Sequence, residues 1–196
     1  MTDAGRSATV WRTDRLRVTE LRPEHAGQLF AVLDDPRVAT YLGGAVAESA
    51  AALADRIRRQ AAGPPPEPAG EQWWNFLVET DEEGPVGTLQ ATIHGDWAEV
   101  AFIFGPRVWG RGLATEGLRW LVDRCRSEGV GQVWATTDPD NRASRALLER
   151  CGFAPRQGGS RTPDSYDPGD LVFVRDLLAA PDAGPTVTIG RPFQVS

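Results

Sequence analysis

The chain is poor in several residue types that carry common chemistry. Lysine is absent from its 196 residues, so all 21 basic residues are arginine, and only two cysteines and two histidines occur. Without lysine no GxxxxGK[ST] phosphate loop exists. Cys125 and Cys151 lie in segments with helical patterning, which argues against a disulfide framework and predicts small buried residues. No metal site is predicted, because His25, His94 and the cysteines have no ligand-like spacing.

Basic charge and long hydrophobic runs are also scarce. Twenty-seven acidic residues outnumber the basic ones, which gives a net charge of −6. This balance argues against binding to nucleic acid or an anionic membrane and mildly favours a cationic partner. No apolar run approaches the roughly 18 residues of a membrane span, and residues 1–10 lack the pattern of a signal peptide. We therefore expect a soluble, cytoplasmic protein.

The length and the turn signals predict one domain over residues 12–178. Residues 1–11 are expected to be a flexible N-terminus. Residues 61–70 are expected to form a proline-rich surface loop, and residues 179–196 a loosely docked C-terminal extension. The extension could close a homodimer or do nothing, so the oligomeric state stays open.

The order of the predicted elements indicates a mixed sheet. Short turns join the early strands, which is typical of an antiparallel meander, and strand–helix crossovers follow later. The predicted fold class is therefore α/β of the α+β type, a single mixed, mostly antiparallel twisted sheet flanked by helices. The predicted strands are 16–21, 72–80, 86–94, 97–104, 130–137 and 171–175, and the predicted helices are 22–34, 46–59, 113–128 and 143–151.

A glycine-bearing loop, RVWGRGLA, joins the strand 97–104 to the next helix. A helix N-terminus presents unpaired backbone N–H groups and the positive end of the helix dipole. Gly110 and Gly112 would let this backbone approach a phosphate, and Arg107 and Arg111 add positive charge. The loop therefore predicts a pyrophosphate site.

Two other interpretations of this loop stay open. It could be a glycine-rich turn with exposed arginines and no ligand. It also begins like the dinucleotide fingerprint GxGxxG, although Thr115 stands at the third glycine and the preceding strand belongs to a meander.

The loop and a second motif together resemble the GNAT acetyltransferase superfamily. RxxGxG at residues 107–112 is similar to its acyl-coenzyme A loop, and WGRGLATE at 109–116 resembles its ribosomal-protein N-acetyltransferase-like branch. The second motif, NxxSxxLLERxGF, occupies residues 141–153, one strand further on. The resemblance covers roughly residues 12–178 and implies a GNAT-like acyl-CoA N-acyltransferase fold with acetyl-CoA as the acyl donor.

The resemblance also implies which residues contact acetyl-CoA. In the family, the strand before the loop splays from its neighbour at a bulge, and the backbone of its last residues faces the pantetheine and the thioester, with an N–H there as the oxyanion donor. The implied contacts are Phe102, Ile103, Phe104, Arg107, Val108, Trp109, Gly110, Arg111, Gly112, Leu113, Ala114 and Asn141.

Acyl transfer to an amine needs a proton acceptor and a proton for the leaving thiolate. By resemblance, Glu99 is the candidate that accepts the amine's proton, directly or through water, unless it faces solvent or pairs with an arginine. Ser144 is the candidate that protonates the thiolate. Helix capping is the alternative for both Ser144 and Asn141. Leu148 stands where many family members carry a tyrosine acid, so a phenol acid has no candidate.

We therefore expect an acetyl-CoA-dependent N-acetyltransferase in which a primary amine attacks the thioester directly. The acceptor is either the N-terminal amine of a peptide or protein, or a small cationic amine such as an aminoglycoside or polyamine. One ring of the Trp73-Trp74 pair, Tyr41 and His94 are weaker candidates to line its pocket. The alternatives are a non-catalytic acyl-CoA-binding module and, with less support, a dinucleotide-binding oxidoreductase.

Overall fold

Alternating apolar residues build one mixed sheet in the computed structural model, which describes residues 9–65, 70–156 and 162–178. The strands lie in the order β1-β2-β3-β4-β5-β6-β8-β7, and all neighbours are antiparallel except β5 and β6. The predicted fold class is confirmed. The strands are β1 Val10–Arg12, β2 Arg17–Glu20, β3 Glu71–Thr80, β4 Gly84–His94, β5 Trp97–Phe104, β6 Gln132–Thr137, β7 Ala154–Arg156 and β8 Leu171–Asp176.

Five α-helices flank the sheet in the described part of the chain, and none is long and apolar enough to cross a membrane. Side-chain caps fix several starts: the carboxylate of Asp35 accepts from Arg37 N, and the hydroxyl of Ser49 accepts from Ala52 N. The helices are α1 Ala26–Leu33, α2 Pro36–Ala39, α3 Ala50–Ala61, α4 Leu113–Ser127 and α5 Arg142–Arg150.

The helices divide between the two faces of the sheet. Helix α4 packs on the face that carries Leu89, Val100 and Phe104, and together they form the larger core. Helices α1 and α3 pack on the other face, over Leu77 and Ile103. The approach of α4 is close, because a Cβ at Gly117 would lie 3.3 Å from side-chain atoms of both Leu89 and Phe104.

Two short strands were missing from the sequence prediction. Residues 10 and 11 belong to the segment expected to be flexible, but they form part of β1, because Trp11 packs against Phe76 at 5.5 Å and Trp120 at 5.7 Å between ring centroids. Strand β7 has three exposed residues and therefore no apolar alternation to predict it. Residues 66–69 of the predicted proline-rich loop and the predicted extension 179–196 lie outside the described residues.

Candidate active site

A gap opens between β5 and β6 in the middle of the sheet. The two strands pair only at Trp97–Glu99 and Gln132–Trp134, although β5 continues to Phe104 and β6 to Thr137. The expected splay is therefore present. The expected bulge is not, since the register of β4 with β5 is regular from Gly87↔Phe104 to Ile93↔Ala98. Beyond Glu99, one edge of β5, which includes Phe102, Ile103 and Phe104, has no strand beside it among the residues that the structure describes.

The end of this gap leads to the N-terminus of α4. The first helical hydrogen bond runs from Glu116 N to Gly112 O, so the N–H groups of Leu113, Ala114 and Thr115 precede it and have no intrahelical acceptor. Gly110 and Gly112 have φ of 75° and 78°, which L side chains rarely adopt. A Cβ at Gly110 would meet nothing within 4 Å, so the glycines are needed here for backbone conformation rather than for space.

The side chains of the loop serve mainly to fix its backbone. Val108 and Leu113 are buried in the core, and the exposed ring of Trp109 donates from Nε1 to the carbonyl oxygen of Phe104 at 2.7 Å. Arg107 is exposed. The guanidinium of Arg111, predicted to add charge to a phosphate site, is ion-paired with Glu82 and Glu83.

The first turn of α4 is tied to the β1–β2 turn through Glu116, which sequence reasoning treated only as part of a motif. Its carboxylate accepts from Thr13 Oγ1 at 2.5 Å, from Arg15 N at 2.8 Å and from Arg15 Nε at 2.7 Å. Burial raises the pKa of Glu116, but these hydrogen bonds outweigh it, so the pKa lies below its usual value. These hydrogen bonds fix the start of α4, and with it the glycine loop, against the β1–β2 turn.

Glu99 is the last residue of β5 that pairs with β6, and its side chain is buried, with 7% of the residue exposed. Its Oε1 accepts from Asp164 N at 2.7 Å and its Oε2 accepts from Ser165 N at 3.0 Å. It therefore does not face open solvent and pairs with no arginine within residues 9–65, 70–156 and 162–178, although both were alternatives that the sequence left open. The segment that precedes β8 holds the carboxylate at the point where the strands part, and no periodic pattern signals this long-range contact.

The described helices cover only part of the sheet face opposite α4. Helices α1 and α3 cover Leu77, Thr88 and Ile103, which lie opposite one another on β3, β4 and β5. The next two rows are mostly polar, and all of their residues except buried Glu99 are at least partly accessible. They are Asn75, Gln90 and Ala101, then Trp73, Thr92 and Glu99, and with His94 we call them the open face.

Ala101 is exposed although β5 is an interior strand, so a space lies above it. Beside it, Gln90 Nε2 donates to Asn75 Oδ1 at 2.9 Å, which leaves a polar floor. Trp73 lies on this face and Trp74 packs against the core, as the alternation of β3 predicts. The open face could therefore admit a polar acceptor toward the gap.

His94, Glu99 and Asp164 bring potential ligand atoms within 4.8 Å of one another. Backbone N–H groups already donate to both oxygens of Glu99. The set places an imidazole beside two carboxylates.

Asn141 caps α5, and its Oδ1 accepts from Ser144 N at 3.0 Å. The capping alternative is therefore present for Asn141, although its amide group can still donate to another partner. The hydroxyl of Ser144 takes no part in this cap. Leu148 is fully buried in the core, and its aliphatic side chain offers no acid.

Comparison with known proteins agrees with this geometry. The family model described as "Acetyltransferase (GNAT) domain" matches residues 15–154. The FsC-acetyl coenzyme A-N(2)-transacetylase of Aspergillus fumigatus is 31% identical over 98 residues, which are 50% of this chain and 40% of that protein. The chain thus matches less than half the length of this curated relative.

Solved structures share the fold. A ribosomal-protein-S5-alanine acetyltransferase from Vibrio fischeri superposes with a TM-score of 0.65 at 13% identity, over 87% of this chain and 97% of its own. An aminoglycoside acetyltransferase in complex with coenzyme A gives a TM-score of 0.62 at 17% identity, over 82% and 94%.

The splayed strands, the glycine loop at a helix N-terminus and the matched domain define an acetyltransferase fold of the GNAT type. The chain belongs to the GNAT acetyltransferase family, whose members use acetyl-CoA. Its structural neighbours include two ribosomal-protein acetyltransferases, which share its fold.

Proposed function

We propose that this protein transfers the acetyl group of acetyl-CoA to a primary amine by direct attack on the thioester. The observation that carries the proposal is the gap between β5 and β6, which joins the N-terminus of α4 at one end to the open face at Glu99. A donor bound along the gap and an acceptor on the open face would meet at the point where the strands part.

The proposed donor site uses backbone groups more than side chains. The N–H groups of Leu113, Ala114 and Thr115, with the positive end of the α4 dipole, would bind the pyrophosphate, and exposed Arg107 adds charge nearby. The edge of β5 from Phe102 to Phe104 would hydrogen-bond the pantetheine and supply the oxyanion donor, apart from the carbonyl oxygen of Phe104, which already accepts from Trp109 Nε1. Trp109 and Arg111 would contribute by fixing the loop.

The proposed chemistry retains two side-chain roles. Glu99 organises removal of the amine's proton, because its clamped carboxylate lies at the apex of the gap. Ser144 protonates the leaving thiolate, since the Asn141 cap engages its backbone N–H and not its hydroxyl. Buried Leu148 supports the absence of a phenol acid.

The proposed acceptor is a cationic primary amine. Glu99 and Asp164 place two carboxylates at the open face, and the chain carries a net charge of −6. A small polyamine or aminoglycoside and the charged N-terminus of a peptide all present such an ammonium. The names of the relatives, which include an N(2)-transacetylase and an aminoglycoside acetyltransferase, support nitrogen as the attacked atom.

The test is release of coenzyme A thiol from acetyl-CoA with spermidine, kanamycin or a peptide that begins with alanine or serine. The protein's own cysteines should add little to the thiol signal, because burial keeps them in the unreactive thiol form. It raises the pKa of Cys125 to about 12 and also raises that of Cys151. We expect turnover with at least one amine, and calorimetric binding of acetyl-CoA with none of NAD. Binding without turnover would instead identify an acyl-CoA-binding module, and binding of NAD alone an oxidoreductase.

A further inference from the structure

His94 lies at the end of the open face, beside the carboxylate of Glu99. Its Nε2 is buried and lies 3.3 Å from Glu99 Oε1, without hydrogen-bond geometry to any partner among the described residues. A lone pair on Nε2 would repel the carboxylate at this distance, so electrostatics favours the proton on Nε2 and the lone pair of the neutral ring on Nδ1. The side chain is 17% exposed, and because Nε2 is buried, this surface lies elsewhere on the side chain.

Aromatic packing fixes the ring. His94 stacks on Trp97 at 4.2 Å with 15° between the planes, and the edge of Trp97 packs against Trp134 at 5.9 Å. Trp134 is 2% exposed, so this stack rests on the buried floor of the sheet. A base held in one orientation loses little freedom when a substrate arrives.

Glu99 itself is poorly placed to meet an amine. Both of its oxygens already accept backbone N–H groups, and Oε1 also faces His94 Nε2. An incoming ammonium would have to share these oxygens under the segment that contains Asp164 and Ser165. The same arrangement suits a carboxylate that orients an imidazole and stabilises its charged form.

We propose that His94 is a catalytic base that takes the proton of the acceptor's ammonium group, and that Glu99 is its positioning residue. This inference rests on the proposed function and specifies the route by which Glu99 acts.

The proton balance of the step is as follows. One N–H bond of the ammonium breaks and an N–H bond forms on Nδ1 of His94, so the imidazole becomes an imidazolium paired with Glu99. The freed amine lone pair forms the C–N bond with the acetyl carbon, and the C–S bond breaks with its electrons on sulfur. The second proton of the amine goes to the thiolate, through Ser144 or water, and His94 later returns its proton to solvent.

The charged surroundings of His94 suit this role and select the ammonium form of the substrate. Glu99 and Asp164 contribute two carboxylates whose oxygens lie within 4.8 Å of the imidazole and of each other. Within the described part of the chain, the other titratable groups near the ring are Glu71, directly opposite on β3, Asp96 in the turn that follows, and Arg156, over the ring of Trp134.

The decisive experiment is the pH profile of kcat/KM for His94→Gln, with the best amine found by thiol release. Glutamine can keep an N–H donor toward Glu99, but its amide cannot accept a proton anywhere in the pH range of the profile. We expect kcat to fall roughly 10²- to 10⁴-fold, loss of the wild-type acidic limb, and an unchanged Kd for acetyl-CoA. The matched control is His25→Gln, since the other histidine only accepts from Arg22 N at a helix start.

Two further measurements keep the outcome interpretable. Glu99→Gln should retain activity above that of His94→Gln and keep an acidic limb in its pH profile, because the imidazole base is still present. In the wild type, the amine should shift the His94 ring signals in NMR and not those of His25. Wild-type turnover with an unchanged profile in His94→Gln would overturn the base, whereas no wild-type turnover with any amine would overturn the proposed function.

Discussion

The two faces of the central strands differ sharply although they are built from alternate residues of the same segments. On the α4 face, Leu89, Ala91, Ile93, Ala98 and Val100 are all buried under a helix. On the opposite face, the residues between them are polar or small, and helices α1 and α3 cover only one end. A sheet in the interior of a domain normally buries both faces.

The contrast between the two faces separates the residues that stabilise the fold from those proposed to bind the acceptor. The α4 face supplies a rigid support and, at its end, the helix N-terminus proposed to bind the donor. The open face contributes little to the core and is the proposed site of the acceptor. Changes on the two faces should therefore separate stability, donor binding and acceptor binding.

The largest expected effect is on donor binding, from Gly112→Asp. Aspartate would place negative charge at the N-terminus of α4 and force a left-handed backbone conformation on a residue with a Cβ. Calorimetry should show no measurable binding of acetyl-CoA. The matched control is Gly129→Asp, at φ of 85° beyond the other end of α4, where the strain of about 1–2 kcal/mol should be similar and binding should persist. Equal loss in both variants would refute a phosphate site at Gly112.

The next effect contrasts the two faces directly, by Ala→Leu at Ala101 and at Ala91. Leucine at Ala91, 3% exposed against α4, should overpack the core and lower the free energy of unfolding by about 1–3 kcal/mol. Leucine at exposed Ala101 should leave stability within about 0.5 kcal/mol but raise the KM for the amine roughly tenfold, with the Kd for acetyl-CoA unchanged. Denaturant unfolding and steady-state kinetics measure both. An unchanged KM in Ala101→Leu would remove the open face as the acceptor site.

Glu116→Gln should loosen the α4 end by removing the charge that accepts from Thr13 and Arg15. We expect the free energy of unfolding, measured with denaturant at neutral pH, to fall by about 1–3 kcal/mol. Because the pKa of Glu116 is lower in the folded state, its contribution is present above the unfolded pKa and is lost as the pH falls through the folded value. The stability difference between the wild type and the variant should therefore shrink in acid, and a constant difference would contradict the charge argument.

The smallest effect separates capping from catalysis on α5. Asn141→Ala removes the side chain that accepts from Ser144 N, so stability should fall by about 1 kcal/mol. Ser144→Ala keeps that bond and should leave stability unchanged while kcat falls. Thermal unfolding and thiol release distinguish the two, and a Ser144→Ala variant with full kcat would leave water as the proton donor.

The sequence was sufficient to predict the order of most elements. Periodicity identified β3, β4, β5 and α4 within a few residues, because their apolar alternation follows from burial. It failed for β1 and β7, where three residues are too few for a period. It also could not give the partner of Glu99, because backbone N–H groups some 65 positions later carry no sequence signal.

The glycine loop before α4 was more predictable from the sequence than the open face. Gly110 and Gly112 mark a local backbone conformation at a helix start, which short-range patterns encode. His94 was predicted only as a weaker candidate for the pocket, since its contact with Glu99 arises from the register of β4 and β5. This register is a tertiary property.

A crystal structure of the protein with coenzyme A bound would test most directly whether the donor binds in the gap between β5 and β6. We expect the pyrophosphate at the N–H groups of Leu113, Ala114 and Thr115, the pantetheine in the gap between β5 and β6, and the sulfur beside the open face near Glu99. A pantetheine arm that lies outside the gap, or a sulfur on the α4 side away from Glu99, would contradict the division of the sheet into a donor side and an acceptor side.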